Sequence, residues 1–390
     1  MDGTKLNGID KQKKRYTVYL SNIKISNFKT YEEVDVDFCS NVNCLVGNNG
    51  VGKTNLLDAI YYLSFCKSYF NPIDTQNIRH GEDFFAVHGM YDFDAERVQV
   101  SCIERKGQPK QMRWNKKVYK TFGEHIGRIP LVVVSPNDIE VIHGGSEVRR
   151  KFVDGVISQT DRGYLNHLLQ YQKALVQRNR LLKQFYEDQQ WDEASIAIWD
   201  EQLVRHGELL YDGRKRFLEE FLPLFNEYYS WISNSGERAT VEYVSNAEVP
   251  LQQQLTEARR NDRYAQYTTV GPHKDDVTLG IDDYPVKKFG SQGQQKTFLL
   301  ALKLGQFEYI YQRSGVKPIL LLDDIFDKLD MVRVKQLVHL VGSERFGQVF
   351  LTDTQPGRVE DIFAEIPHVE HRIFEVTRGK LELKQEGTNV

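Results

Sequence analysis

The chain has 390 residues, of which 40% are hydrophobic and 12% aromatic, so it can bury a large core and wholesale disorder is not expected. Its formal net charge of -3 excludes neither nucleic acid nor an acidic ligand, because only local clusters of charge bear on that question. The longest apolar runs are far too short to cross a bilayer, and the N-terminus is polar. The four cysteines lack zinc-ligand spacing, so we expect reduced thiols in a cytoplasmic protein without a membrane partner.

The N-terminal part of the chain is predicted to form strands around one helix. Residues 1–15 are polar and end in a basic run, which predicts a flexible basic extension. Alternating apolar residues over 16–38 predict three short strands, and those over 84–103 predict an antiparallel pair. Between these groups, the apolar run at 42–46 predicts a buried strand, and residues 55–63 predict a helix with an apolar face.

The middle of the chain is predicted to be helical. After a basic hairpin and an apolar strand at 131–134, apolar residues recur at helical spacing from about 146 to 233. The polar stretch 188–192 could turn the chain, so the simplest arrangement is an antiparallel pair of helices. No heptad register persists, which argues against a long coiled coil. Strands return from about residue 239, and an α/β pattern continues to the end.

The most informative motif is the octapeptide at residues 47–54, which fits G-x-x-x-x-G-K-S/T without a gap. A strand before it and a helix after it are the context that separates a phosphate-binding P-loop from a chance glycine-rich turn. Lys53 would reach the β- and γ-phosphates of ATP, and the Thr54 hydroxyl would hold Mg²⁺. The predicted ATP-binding residues here are Gly47, Asn48, Asn49, Gly50, Val51, Gly52, Lys53, Thr54 and Asn55.

A second motif, the apolar run 317–322 followed by Asp323 and Asp324, has the Walker B pattern. We predict that Asp323 binds Mg²⁺ together with Thr54, and that Asp324 is the catalytic base that polarises water. A buried strand followed by acidic turn residues would look the same, but the P-loop in the same chain favours the nucleotide site.

A third motif, Ser-x-Gly-x-Gln at residues 291–295, opens a predicted helix. An ordinary Ser-capped helix would look the same, although free N–H groups and a hydroxyl also suit an anion. Its position, about thirty residues before Walker B, is typical of ATP-binding-cassette ATPases, in which this signature motif closes on ATP held by the other subunit. The predicted ATP-binding residues here are Ser291, Gln292, Gly293 and Gln294.

Two further positions follow Walker B. Residues 326–330 are similar to the D-loop of cassette ATPases, so Asp330 joins the predicted ATP-binding residues. The next apolar strand ends where most of these ATPases carry a switch histidine. Here Asp353 or Thr354 occupies that place, and the sequence leaves open which of them senses the γ-phosphate.

Several stretches resemble the RecF family, bacterial recombination and replication-repair ATPases of the SMC-like class. The pairing of Gly-Pro-His-Lys-Asp-Asp at 271–276 with Arg-Asn-x-Leu-Leu at 178–182 is much more specific than the P-loop and Walker B alone. The other stretches that carry the resemblance are 25–31, 131–138, 149–154, 291–295 and 322–330. The family often has Arg where this chain has Lys29, which would still contact phosphate, but only as a point charge.

The resemblance implies an α/β fold, a P-loop ABC-type ATPase head with a mostly helical second lobe. Lobe I would comprise residues 16–136 and 265–390, and lobe II would comprise residues 137–264. The resemblance also implies ATP and Mg²⁺ as cofactors, an ATP-dependent homodimer, and weak DNA-stimulated ATPase activity. Such a protein would bind single- and double-stranded DNA at gap junctions, act with RecO and RecR to load recombinase, and reset by slow hydrolysis during the SOS response to DNA damage.

Other classes of ATPase fit the sequence less well. A transporter subunit is disfavoured by the long middle insertion and the absence of the switch histidine. A nuclease-linked ATPase of the overcoming-lysogenisation-defect type is disfavoured because only about sixty residues follow Asp330. The alternative that we keep is an ABC-type ATPase subunit of another DNA-processing or defence complex.

The chain also contains a candidate DNA-binding segment, between residues 105 and 120, in which cations occur without any acidic residue. Sequence-independent DNA binding depends on neutralising phosphates, although a solvated hairpin would show the same charges. The predicted DNA-binding residues are Arg105, Lys106, Lys110, Arg113, Lys116, Lys117 and Lys120. A second basic cluster, at 149–151, begins the helical lobe, and a third, at 214–216, is interpreted as an exposed helix face. His273 either senses phosphate or is structural, and we favour the structural interpretation; the Asp275–Asp276 pair either binds a cation or caps a turn.

Overall fold

The computed structural model describes residues 17–94, 96–233, 236–325, 345–364 and 369–387. The predicted basic extension at 1–15 and the predicted D-loop with Asp330 lie outside the described residues. The strands are β1 (Val18–Phe28), β2 (Tyr31–Asp37), β3 (Val42–Val46), β4 (Phe84–Phe93), β5 (Glu96–Arg105), β6 (Gln111–Trp114), β7 (Lys117–Val118), β8 (Leu131–Val134), β9 (Ala239–Val244), β10 (Asp276–Ile281), β11 (Tyr284–Pro285), β12 (Ile319–Leu322), β13 (Val349–Asp353), β14 (His371–Thr377) and β15 (Lys380–Gly387). The helices are α1 (Lys53–Phe65), α2 (Glu140–His143), α3 (Ser146–Thr160), α4 (Arg162–Glu187), α5 (Glu193–Ser233), α6 (Leu251–Ala265), α7 (Val286–Phe289), α8 (Gln292–Ser314) and α9 (Pro356–Ala364).

A central sheet carries the nucleotide motifs. Its described strands run in the order β15-β14-β3-β13-β12-β8, and all of them are parallel except the edge strand β15. Every residue of β3, β8, β12 and β13 is buried, which explains why these strands are largely apolar instead of alternating; their polar residues are Asn43, Thr352 and Asp353. Because β13 lies between β3 and β12, the P-loop and Walker B leave the same edge of the sheet with one strand between them.

A second, antiparallel sheet in the order β2-β1-β4-β5-β6-β7 covers the helix that follows the P-loop. The apolar residues of α1 pack in one core between this sheet and one face of the central sheet. The sequence predicted three short strands over 16–38, but the structure has two there, β1 and β2. The first two predicted strands form the single strand β1, because a β-bulge between Leu20 and Asn22 lets it continue past a break in the alternation.

The predicted antiparallel helical pair is present as α4 and α5. His167 contacts His206 and Arg178 contacts Asp200, so residue numbers rise on one helix as they fall on the other. The C-terminal half of α5 packs on α8 through aromatic rings, with the centroids of Phe225 and Phe298 separated by 4.8 Å. The long helix α5 therefore connects the far end of the helical segment with the helix that the signature motif opens.

The division into two lobes stays a prediction. Apolar residues of α3, α4, α5 and α8 and of β9 and β10 form one continuous core. Strand β9, within the predicted lobe II, pairs antiparallel with β10, which lies beyond the predicted boundary at residues 264 and 265. The helical segment is therefore packed against the ATPase part over a broad surface.

Candidate nucleotide site

The P-loop connects β3 to α1 and has a backbone that only glycine adopts easily. Gly47, Gly50 and Gly52 have φ angles of 150°, 79° and 121°. A Cβ at Gly47 would lie 2.5 Å from the carbonyl oxygen of Val376, and one at Gly52 would lie 2.9 Å from the hydroxyl of Thr30. Side chains are thus excluded from both ends of the loop, as a tight backbone cradle for phosphate requires.

Neighbouring hairpins hold this loop in place. The hydroxyl of Tyr31, the first residue of β2, donates to the carbonyl oxygen of Gly52 at 3.0 Å. The backbone N–H of Gly379, in the turn between β14 and β15, donates to the carbonyl oxygen of Val51 at 3.0 Å. The loop is therefore preorganised by contacts from both ends of the chain, without any ligand.

Lys53 is buried at the start of α1 and bends back over the loop. Its ammonium donates to the carbonyl oxygens of Gly47 at 2.7 Å and Asn48 at 3.0 Å. Among the residues that the structure describes, no carboxylate lies within ion-pair distance of this ammonium. A buried ammonium whose described hydrogen bonds all go to carbonyl oxygens suits an anionic ligand.

Thr54 and Asp323 meet where the predicted Mg²⁺ site requires them to. The Thr54 hydroxyl lies 3.0 Å and 3.1 Å from the two carboxylate oxygens of Asp323. Burial, and then the neighbouring charge of Asp324, raise the pKa of Asp323 to about 6. A bound Mg²⁺ would stabilise the ionised form of this carboxylate. Because the Thr54 hydroxyl and the Asp323 carboxylate are oxygen ligands of the kind that Mg²⁺ takes, the residues present fit that ion.

Thr352, which the sequence analysis missed, links both Walker B carboxylates. Its hydroxyl lies 3.1 Å from Asp323 Oδ1 and 3.4 Å from Asp324 Oδ1, and it accepts the backbone N–H of Asp324 at 2.9 Å. A single hydroxyl proton can serve only one carboxylate at a time. The available signal was the parallel register of β12 and β13, which pairs Leu322 with Leu351 and places Thr352 beside Asp323.

Asp324 itself has φ of 48°, in the left-handed region that a non-glycine residue rarely adopts. Both candidate switch residues lie next along the same edge. The carboxylate of Asp353 is buried and binds the guanidinium of Arg358, with Nε to Oδ2 at 2.8 Å. This carboxylate therefore has a structural partner already, while Thr354 is half-buried. Which residue senses the γ-phosphate stays open.

The signature motif begins α8 as an N-cap. Ser291 Oγ accepts the backbone N–H of Gln294 at 3.2 Å, and Gln294 Oε1 accepts the backbone N–H of Ser291 at 2.7 Å. The amide of Gln294 also donates to Glu237 at 2.8 Å. Ser291, Gln292 and Gly293 are exposed, and no described hydrogen bond joins this motif to the P-loop of the same chain.

Lys29 lies beside the P-loop helix but has an internal partner. Its ammonium forms an ion pair at 2.6 Å with Asp58, a fully buried residue of α1. Its backbone has φ of 51° and donates to the carbonyl oxygen of Asn77 at 2.8 Å. A phosphate contact by Lys29 therefore stays a prediction, and it would require this ammonium to be shared with Asp58.

The predicted DNA-binding segment is a hairpin whose cations fall into two groups. The side chain of Lys110 is only 9% exposed and forms an ion pair with Asp74, so it is removed from the set of DNA contacts. Arg113 is half-buried and donates to Gln111 at 2.9 Å. The cations that remain exposed are Arg105, Lys106, Lys116, Lys117 and Lys120.

The motif at 178–182 contributes to a cluster that we call the buried arginine network, formed by Arg178, Arg259, Asp200 and Asp262. Arg178 binds Asp200 at 2.6 Å and Asp262 at 2.5 Å, and Arg259 binds Asp200 at 3.2 Å. The network joins α4, α5 and α6, and Arg259 also forms an ion pair with the exposed Glu193. These residues hold the helical segment together.

The motif at 271–276 also binds side chains of the helices. His273 Nδ1 lies 2.8 Å from the Tyr171 hydroxyl, and Nε2 lies 3.0 Å from the carbonyl oxygen of Thr268. Burial lowers the pKa of His273 to about 4, so a neutral ring that donates from Nε2 fits both contacts. This geometry agrees with the structural interpretation of His273. Asp276 binds Arg149 through both carboxylate oxygens at 2.8 Å.

The interpretation of the cluster at 214–216 as an exposed helix face holds for Lys215 and Arg216 but is wrong for Arg214. Arg214 is buried, binds both oxygens of Asp154 at 2.9 Å and 3.0 Å, and donates to the carbonyl oxygen of Pro272 at 2.7 Å. A run of charges in the sequence does not report the long-range partners that bury one of its members.

Comparison with known proteins identifies the family. The model of the RecF/RecN/SMC N terminal domain matches residues 19–373. A Flavobacterium johnsoniae protein described as DNA replication and repair protein RecF is 49% identical over 358 residues, which cover 92% of this chain and 99% of that protein. The chain belongs to the RecF family. A Phocaeicola vulgatus RecF is 47% identical over 370 residues, covering 94% of this chain and 99% of that protein.

Solved structures confirm the predicted fold class, an ABC-type ATPase head of the SMC-like kind. A structure of the recombination mediator protein RecF-ATP in the RecFOR pathway has a TM-score of 0.87 and 31% identity, covering 96% of this chain and 100% of that one. A Pyrococcus furiosus Smc head domain has a TM-score of 0.55 at 16% identity and shows the fold alone. As a RecF/SMC-like ATPase, the chain has a fold suited to ATP. No helix within the described residues is long and apolar enough to span a membrane.

Proposed function

We propose that the chain is an ATP-dependent DNA-binding protein of recombinational repair and replication restart. In this proposal two copies close around ATP, bind DNA where single-stranded gaps meet duplex, help to load recombinase, and separate after slow hydrolysis. Relatives that match nearly the whole chain are described as DNA replication and repair proteins, which favours this function over an ATPase subunit of another DNA-processing or defence complex.

The observation that carries the proposal is the contact between Thr54 and Asp323 beneath a preorganised P-loop. Two motifs 269 residues apart in sequence meet within hydrogen-bond distance, as an ATPase site requires. Packing alone does not account for a half-buried hydroxyl, a carboxylate of raised pKa and an ammonium that has no ion pair among the described residues, all in one place. The ATP-bound RecF structures support nucleotide as the missing ligand.

Each residue then has a distinct role. The P-loop N–H groups and Lys53 would bind the phosphates, and Thr54 and Asp323 would hold Mg²⁺, which supplies charge neutralisation when bound. Asp324, whose N–H binds Thr352, would orient and polarise the attacking water. Thr352 would keep the two carboxylates in fixed relative positions.

The exposed Ser291 at the start of α8 supports the dimer in this proposal. A capped helix start with a free N-terminal surface suits phosphate, but in the described residues it makes no hydrogen bond to its own P-loop. A second copy would bring its nucleotide to this surface. We also propose RecO- and RecR-type partners, a cytoplasmic location and the two-lobe division at residues 137 and 264.

DNA binding tests the proposal separately from ATP binding. We expect Lys116→Glu/Lys117→Glu to weaken binding to gapped DNA at least roughly ten-fold in the presence of ATP, because both cations are exposed at the hairpin tip. The difference should shrink as salt is raised. Lys173→Glu/Lys183→Glu, a matched reversal of two exposed lysines of α4, is the control. Equal DNA affinity of the two double variants would contradict the hairpin assignment.

A further inference from the structure

Two large aromatic side chains stand exposed just before the signature motif. Tyr284 of β11 and Phe289 at the end of α7 are 61% and 66% exposed. Their rings meet edge to face, with centroids 5.4 Å apart. Lys287 and Lys288, between them in sequence, are also exposed. Single exposed apolar residues are ordinary, but an adjacent aromatic pair with a basic border is typical of a contact surface.

This aromatic pair is fixed in position relative to the signature motif. Val286 is fully buried and anchors α7. The side-chain amide of Gln295, in the first turn of α8, donates to the carbonyl oxygens of Val286 at 3.4 Å and Gly290 at 3.0 Å. His143 contacts Gln295 Oε1 at 2.9 Å. The short helix α7 and the start of α8 therefore form one unit, and whatever approaches Ser291 also approaches the pair.

We propose that Tyr284 and Phe289 are hydrophobic anchors of the contact between two copies of this chain in the ATP-bound state. The inference rests on the proposed function, because the signature motif acts only on nucleotide held by a second copy. In a two-fold dimer the same patch is used twice, so each pair would face the rim of the partner subunit's P-loop. ATP would thereby place four aromatic side chains in the interface.

The link between the pair and Ser291 favours a second copy as the occupant. Gln295 ties α7 to the first turn of α8, so a P-loop of a second copy that reaches Ser291 also reaches the pair. The exposed Lys287 and Lys288 would also attract DNA phosphates, so a nucleic acid is the competing occupant that the test below separates from a second copy.

The test is the double variant Tyr284→Ala/Phe289→Ala in the full chain, with the dimer dissociation constant measured by analytical ultracentrifugation in ATPγS. We expect the constant to rise by roughly 100-fold, because two aromatic anchors are lost from each of two symmetric patches. Phe289→Ala alone should raise it about ten-fold. The affinity of each variant for a fluorescent ATP analogue, measured at concentrations where the chain is monomeric, should not change.

The matched control is Tyr264→Ala, which removes an 84% exposed aromatic side chain from the end of α6 and should leave dimerisation unchanged. A double variant that dimerises as tightly as the unmodified chain would overturn this inference and leave the proposed function intact. A double variant that keeps the dimer but loses DNA affinity would also overturn it, because the pair would then belong to a nucleic-acid surface. If the unmodified chain fails to dimerise with ATPγS, the proposed function fails first.

Discussion

The nucleotide site and the buried arginine network both gather charged side chains from distant motifs, but their charges are matched differently. In the network, each buried carboxylate has an arginine partner: Arg178 binds Asp200 and Asp262, and Arg259 binds Asp200. At the nucleotide site, Asp323 lies beside another carboxylate, and among the described residues the ammonium of Lys53 donates only to backbone carbonyl oxygens. Because buried charge without a counter-charge is unfavourable, the carboxylates of the network are matched within the chain, whereas the nucleotide site is arranged for a ligand that brings charges of both signs.

The largest expected effect on folding comes from breaking the network. Arg178→Met should lower the free energy of unfolding by about 3–5 kcal/mol, because Asp200 and Asp262 would lose a fully buried counter-ion. Urea unfolding followed by circular dichroism measures this change. Arg180→Met, two residues away on the exposed side of α4, is the control and should be close to neutral. A network variant as stable as the control would show that these ion pairs are not structural.

Removing a charge from the nucleotide site should reduce ATP turnover without reducing the stability of the fold. Asp324→Asn should reduce ATP turnover by about 10²–10³-fold, because the predicted base is lost, while ATP stays bound and holds the dimer. Without nucleotide its free energy of unfolding should be unchanged or higher, since the charge of Asp324 disfavours ionised Asp323. Single-turnover hydrolysis and urea unfolding of the same preparation measure both. Turnover at the normal rate would refute the catalytic role of Asp324.

The pH dependence of stability sharpens the contrast through His273. Burial lowers its pKa to about 4 in the folded chain, below the usual value of 6.5, so the unfolded chain binds a proton first as pH falls. The contribution of the neutral His273 ring to the free energy of unfolding is fully present above pH 6.5. It is lost between that pH and about 4, by up to roughly 3 kcal/mol. We expect His273→Gln to flatten the acid limb of the stability profile. The exposed His80→Gln serves as control, and identical slopes for both variants would contradict the buried neutral ring.

The smallest effect concerns the contact between α5 and the signature motif. Glu237 accepts the amide of Gln294 at 2.8 Å and the hydroxyl of Tyr229 at 3.0 Å. Glu237→Ala should weaken the ATP-dependent dimer by about 1 kcal/mol, roughly five-fold, because Gln294 is no longer positioned. Sedimentation in ATPγS measures this change, with Glu242→Ala at an exposed position of β9 as control. A dimer constant equal to that of the control would mean that this contact does not bear on the signature motif.

Much of the nucleotide site could be predicted from the sequence because its motifs are local. The P-loop and the Walker B carboxylates are each made of residues consecutive in sequence, so each motif can be recognised without knowing the tertiary structure. Thr352 could not be found in this way, since its role depends on the register between β12 and β13. Its residue type is unremarkable, and only the parallel pairing brings its hydroxyl to Asp323 and Asp324.

Charge runs were the weaker guide, for a physical reason. Lys110 and Arg214 lie in basic stretches that suggest exposed surfaces, yet each is buried against a carboxylate distant in sequence, Asp74 and Asp154. Periodicity located α1, α5 and α8, but it merged α3 with α4 and did not single out α6. It also does not show which cation of a run turns inward. Only tertiary contacts distinguish cations that have an ion-pair partner within the chain from cations that are available to a ligand.

The most direct test of the central claim is the molar mass in solution, by light scattering, without nucleotide, with ADP and with ATP. The nucleotide site should be completed only by ATP and a second copy, so we expect a monomer that becomes a dimer in ATP alone. Lys53→Met and Ser291→Arg should both stay monomeric in ATP, the first because it cannot bind phosphate and the second because it blocks the signature surface. A mass that does not respond to ATP, or a dimer that persists in Ser291→Arg, would contradict the account.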